Sequence, residues 1–132
     1  MSIPFVQSLY GAFGRGDIDA ILASCAPDVA WQDYGRPSDF PSFGPRHGKA
    51  GVQAFFGVVG AELEFLDFSP REFHAADDKV FVLGHSKTRV KKTGRLVDTD
   101  WVHVFTVQDG KLRTFTEYAD TARFAEAYRA AA

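Results

Sequence analysis

The chain has 132 residues, 45% of them apolar and 13 of them phenylalanine, with a formal charge of −2. That length suits one domain, 1-132, which buries roughly two-thirds of its unfolded surface and needs neither a disulfide nor a metal to fold. The composition excludes a disordered chain, and the mild acidity leaves no basic face for nucleic acid. No membrane partner is expected either, because no apolar run approaches the ~20 residues of a span. Cys25 is the only cysteine. With no intramolecular disulfide to form and no basic-then-apolar leader, the reading is a cytoplasmic protein.

In chain order, Val6, Leu9, Tyr10 and Phe13 recur at helical spacing and predict a helix over Pro4 to Phe13. "GRGD" stops it, and Asp17 is the N-cap of a second helix with Ile18, Ile21 and Leu22 as its buried stripe. Cys25 is expected on that helix, as a small buried apolar residue. "VAWQDY" alternates, so Val29, Trp31 and Asp33 share one face of a strand. Gly35 to Gly48 is then a loop rich in Gly, Pro and Ser, of the length seen in lids and binding segments. A third helix runs from about Lys49 to Gly60, with Val52, Phe55, Phe56 and Val59 inward.

The remainder reads as β. Turns are expected at Ser69-Pro70 and Ala76-Asp77-Asp78, and "KTRVKKTGR" is a solvated hairpin turn. "RLVDTDWVHVFTV" is a long strand, joined across Gln108-Asp109-Gly110 to "KLRTFTEYA". Asp120 caps a short closing helix through Phe124, Ala127 and Tyr128. Helices set apart from a run of antiparallel strands mean α+β.

Three stretches in this order, "GDIDAILASCAPDVAWQD", "HGKAGVQAFF" and "WVHVFTVQDGKLRTFTEYADTA", resemble the SnoaL-like branch of the nuclear transport factor 2 superfamily. The resemblance spans nearly the whole chain. It implies a cone-shaped fold, a strongly curved antiparallel sheet wrapped around three helices from the N-terminal half, with a short C-terminal helix. It further implies a deep pocket and a homodimer formed through the convex face. The superfamily holds isomerases, dehydratases, cyclases, epoxide hydrolases and binding modules, so the fold does not name the reaction.

Patterns within the superfamily pick out residues here. Asp33 is similar in position to the general base of ketosteroid isomerase. The two oxyanion-hole positions of that enzyme hold Leu9 and Trp101, and without donors at the developing enolate its reaction is not expected. Tyr10 stands one residue away, about 100° around the helix. "FTEYAD" places Glu117 where limonene epoxide hydrolase has its acid, but "GHSKTRV" does not supply the Arg and Asp that enzyme pairs with it. In the SnoaL-like pattern a histidine precedes the Asp-Gly turn, and His103 matches it.

If Trp101 and Phe105 face inward, so does His103. Asp33, His103 and Glu117 are then the candidate catalytic residues. Tyr10, Trp31, Phe55, Phe56, Trp101 and Phe115 are the candidate substrate-binding residues. Carboxylates and an imidazole buried among rings can exchange protons near neutral pH without a cofactor. The expected partner is one small hydrophobic molecule, and the expected reaction is isomerisation, cyclisation, dehydration or water addition. The alternative is a non-catalytic binding or dimerisation module. His103 is open to two readings, a ligand contact or a core histidine satisfied by Glu117. The face of His85 is undecided, and His47 and His74 fall in loops. His85, His103, Asp33 and Glu117 lack local ligand spacing, so no metal is expected. No strand–loop–helix phosphate cradle is present, and no cofactor is expected.

Overall fold

A computed structural model describes residues 2–130. Met1 and the last two alanines of the expected 1-132 domain lie outside the described residues. Helix α1 spans Ser2–Gly14 and α2 spans Ile18–Ser24. Asp17 caps α2 by accepting from the Ala20 N–H at 3.1 Å. The helix stops at Ser24 because Ala26 precedes Pro27, and the residue before a proline disfavours helical backbone. Cys25, expected on α2, is instead the first residue of strand β1 (Cys25–Asp33), and it is buried.

The segment Gly35 to Gly48 is not loop throughout. Its last residues form strand β2 (Gly44–His47), paired antiparallel with β1. Ahead of β2, Phe40 and Phe43 are buried against each other and against Phe124. This connection is therefore a packed plug. Helix α3 follows (Gly48–Glu62), burying Val52, Phe55 and Val59.

Strands β3 (Leu63–Ala76), β4 (Lys79–Val90), β5 (Leu96–Gln108) and β6 (Lys111–Ala119) come next, and α4 (Thr121–Arg129) closes the chain. The expected turn at Ser69-Pro70 is absent: β3 runs through it, with bulges between Phe65 and Asp67 and between Pro70 and Glu72. β3 is an edge strand, where a proline's missing N–H removes no ladder bond that the sheet needs. At the β5–β6 hairpin, Asp109 (φ 54°) and Gly110 (φ 72°) both take positive φ, as a tight two-residue turn requires.

The six strands form one curved sheet in the order β2-β1-β6-β5-β4-β3. It is mixed: β1 and β6 run parallel, while every other neighbouring pair is antiparallel. The architecture is the α+β cone that the resemblance implies. Val80, Val82, Val97, Phe105, Phe115 and Trp31 fill the inner face beneath Val6 and Leu9 of α1 and the buried side of α3.

One glycine shapes the inner wall. Gly84 on β4 lies opposite Trp101 on β5, and a Cβ there would stand 2.3 Å from the indole ring. The indole folds across the bare backbone. Gly84→Ala will therefore destabilise the fold by about 1–3 kcal/mol through overpacking, measured as a lowered midpoint in urea unfolding.

Candidate functional site

Strand register assembles the site. The parallel β1–β6 pair sets Asp33 beside Glu117 and Trp31 beside Phe115. The antiparallel β5–β6 pair sets His103 beside Glu117 and Phe105 beside Phe115. Glu117 thus stands between the other two on the inner face. Its Oε2 lies 2.6 Å from His103 Nε2, and its carboxyl is hydrogen-bonded to that of Asp33. Helix α1 contributes Tyr10, whose hydroxyl lies 2.7 Å from His103 Nδ1. The plug contributes Ser42, which donates to Asp33 Oδ2 at 2.8 Å. The result is one polar row: Ser42, Asp33, Glu117, His103, Tyr10.

The row forms one wall of a cavity of about 100 Å³, several times the roughly 10–15 Å³ that a water molecule needs. Rings make most of the rest, among them Phe13, Phe55, Phe56, Phe68, Phe105 and Phe115. Among the described residues no lysine or arginine lines the cavity. Among them, too, no three His, Cys, Asp or Glu side chains are placed to hold a metal ion.

Burial governs the protonation of the row. Desolvation pushes Asp33 up to about 9; the neighbouring Glu117 adds to the rise and the Ser42 hydrogen bond opposes it. Burial also raises Glu117, while the hydrogen bond from Asp33 holds it back. Two carboxyls in contact hold one proton between them, and these opposing effects place it on Asp33. Burial pushes His103 down to about 3, so the imidazole is neutral at pH 7. Its Nε2–H donates to the Glu117 carboxylate, and its Nδ1 accepts from Tyr10. Burial raises the Tyr10 hydroxyl too, which keeps its proton for that bond.

The sequence pattern of the SnoaL-like domain matches residues 6–115 of this chain. The chain belongs to the SnoaL-like family. Solved structures share its fold. A nuclear transport factor 2-like protein of unknown function from Burkholderia pseudomallei is 31% identical over 98% of each chain, with a TM-score of 0.89. A second such protein, from Burkholderia xenovorans, is 32% identical over 97% of this chain and 95% of that one, with a TM-score of 0.88. TerC, co-crystallised with polyporic acid, is 29% identical over 98% of each chain, with a TM-score of 0.86. No curated protein sequence matches.

For this SnoaL-like chain, the polar residues singled out from sequence come together. Asp33, His103, Glu117 and Tyr10 all line the cavity. So do Trp31, Phe55, Phe56 and Phe115. Trp101 does not. Drawn into the space over Gly84, its ring stacks behind the imidazole, centroids 3.9 Å apart and planes 17° apart. It backs His103, where the sequence reading made it pocket wall. Of the two ketosteroid isomerase positions, Leu9 lines the cavity and Trp101 offers no donor to it. Tyr10, one residue along from Leu9, still reaches the imidazole.

The other histidines stand apart. His85 points outward, its Nδ1 2.7 Å from Asp100 and its Nε2 bonded to Asp98; the Asp100 hydrogen bond is the main cause of its raised pKa. His47 and His74 lie on strands, where loops were expected, and both are exposed. Asp120 caps α4, accepting from the Arg123 N–H at 3.3 Å. Ser42 was missed: inside a Gly/Pro/Ser segment, nothing in the local pattern separates it from turn serines.

These shifts fix a pH dependence. Asp33 loses its proton near its ordinary 3.8 when unfolded and only near 9 in the fold, so its contribution to stability declines between those values. Glu117 acts in the same direction. His103 acts oppositely: its contribution is complete above its ordinary 6.5 and is lost as pH falls toward 3. Between the two ordinary values the slopes of Asp33 and His103 oppose each other; above 6.5 Asp33 and the outward-pointing His85, whose pKa is raised, both lose stabilisation as pH rises. Thermal melting will therefore fall from pH 6.5 to 9, with Asp33 contributing at most about 1.4 kcal/mol per pH unit. In Asp33→Asn the fall will be shallower; an unchanged slope would place its origin elsewhere.

Proposed function

We propose that this protein binds a small hydrophobic molecule in the aromatic cavity and moves a proton on it without a cofactor. The observation that carries this reading is the Asp33–Glu117 pair, two carboxyls that the β1–β6 register sets side by side on the wall of the cavity, where burial raises both and favours a proton kept on Asp33. An acid and a base one hydrogen bond apart are what a proton shift beside a carbonyl requires. Asp33 gives its proton to the substrate oxygen, and Glu117 takes one from the adjacent carbon. Asp33 was expected as the base; its desolvation makes it the acid and passes the base role to Glu117. Neutral His103 steadies the Glu117 charge through Nε2–H, and Tyr10 fixes the tautomer. Isomerisation, aldol cyclisation and β-elimination of water all begin with such a step, and water addition runs the last of these in reverse. The co-crystal of TerC supports a small-molecule occupant.

The non-catalytic alternative rests on one observation: each polar side chain of the row already has a partner within it. Deuterium exchange separates the two. With 2-tetralone in D2O, followed by proton NMR, the protein will accelerate exchange next to the carbonyl. Asp33→Asn and Glu117→Gln will each lower that rate by about a hundredfold or more. Saturable binding of 2-tetralone with exchange at the buffer rate would establish the binding module instead.

We further propose a single-domain cytoplasmic homodimer that pairs through the outer face of the sheet. Leu83 on β4 and Tyr118 on β6 are 39% and 50% exposed there, Val102 lies between them on β5, and Val104 follows on the same face between Phe81 and Thr116. An apolar outer face of this kind is what a partner covers. Sedimentation will show a dimer for the native chain and a monomer for Leu83→Glu; a native monomer overturns the pairing.

A further inference from the structure

The polar row can be counted proton by proton. It makes four internal contacts: Ser42 with Asp33, Asp33 with Glu117, Glu117 with His103, and His103 with Tyr10. With one proton shared by the two carboxyls, it holds four polar protons, on Ser42, the carboxyl pair, His103 and Tyr10. Each contact consumes one of them. Reversing the imidazole frees the Tyr10 O–H only at the expense of another contact. If Glu117 carried the proton and gave it to Nε2, the Asp33–Glu117 contact would be left with none, two acceptors face to face.

Acceptor capacity remains. A carboxylate has about four lone-pair sites, and Glu117 fills two, with the His103 N–H and the Asp33 O–H. The oxygens of Tyr10 and Ser42 each keep lone pairs. The row is thus short of donors and rich in acceptors, and it carries a negative charge that no lysine or arginine on the cavity wall offsets.

We propose that the ligand of this cavity is an uncharged molecule with a flat apolar body and a hydroxyl group, an alcohol, phenol or enol, that donates its proton to the Glu117 end of the row. The inference rests on the reading of the cavity as a small-molecule site and narrows it. A carboxylate or phosphate is excluded because it brings acceptors and like charge to a place that has both. An ether is disfavoured because it has no O–H to give and finds no spare donor in the row, whereas a ketone that enolises meets the requirement as its enol. The Ser86 hydroxyl and the Trp31 indole, which also line the cavity, give to an ether oxygen as readily as to a hydroxyl oxygen, so they do not erase the preference. During turnover the same bond would bring a substrate hydroxyl to the proton-transferring pair.

Three probes with one ring system test this: 2-naphthol, 2-methoxynaphthalene and 2-naphthoate, titrated at pH 7 with tryptophan fluorescence as the readout. The methyl ether removes only the donated proton, and the naphthoate replaces it with charge. 2-Naphthol will bind about tenfold or more tighter than the ether, the scale of a hydrogen bond to a charged group, and the naphthoate will bind more weakly than either. In Glu117→Gln, checked for native circular dichroism, the preference for naphthol over the ether will shrink. Equal affinity of naphthol and ether, or tight binding of naphthoate, overturns the inference and leaves the cavity a ligand site. Failure of all three to bind removes the cavity as a ligand site, and the inference falls with it.

Discussion

The interior of this protein depends on Glu117 having a partner on each side. A carboxylate removed from water is costly unless hydrogen bonds replace its hydration. Here Asp33 comes from a parallel neighbour and His103 from an antiparallel one. Only a strand with β1 on one edge and β5 on the other supplies both. The single parallel pairing of an otherwise antiparallel sheet is therefore the element that makes the buried charge tolerable. The cost of that burial reappears as the shifted titration of Asp33 and His103.

The aromatic shell completes the arrangement. Phe115 packs edge-on to the imidazole while Trp101 and Tyr10 lie nearly parallel to it. Such packing leaves the ring one orientation, with one nitrogen toward Glu117 and the other toward Tyr10. The same rings bury the row, and that burial keeps His103 neutral and favours the proton on Asp33. Packing and protonation are one effect seen twice. A site held this firmly before any ligand arrives has little to reorganise when charge moves.

Much of this was legible in the sequence, for stated reasons. Alternation in "DWVHVF" and "VAWQD" placed His103 and Asp33 on inner faces, because strand period and burial agree there. Helical spacing located α1 and α3, and Asp17 and Asp120 announced the caps they form. What the sequence hid was long-range. The parallel partner of β1 leaves no local mark. Strand β2 is four residues inside a segment whose composition says turn. Pro70 reads as a break unless the strand is known to be an edge. Trp101 has the right face and the wrong reach, since only Gly84 on the next strand reveals where the ring can go. Ser42 is visible solely through what it touches. The register that brings Glu117 between its partners required the fold.

The plug ahead of β2 joins two properties that most pockets keep separate. Phe43 walls the cavity, Ser42 bonds the acid, and Phe40 pins both residues beneath α4. Gly35, where a Cβ would meet the Phe43 ring at 2.3 Å, fixes the path by which the chain enters. A relative that remodels this stretch to admit a larger molecule would at the same stroke retune the proton affinity of Asp33. In such a lineage substrate size and working pH would drift together, and a change in one would be a record of change in the other.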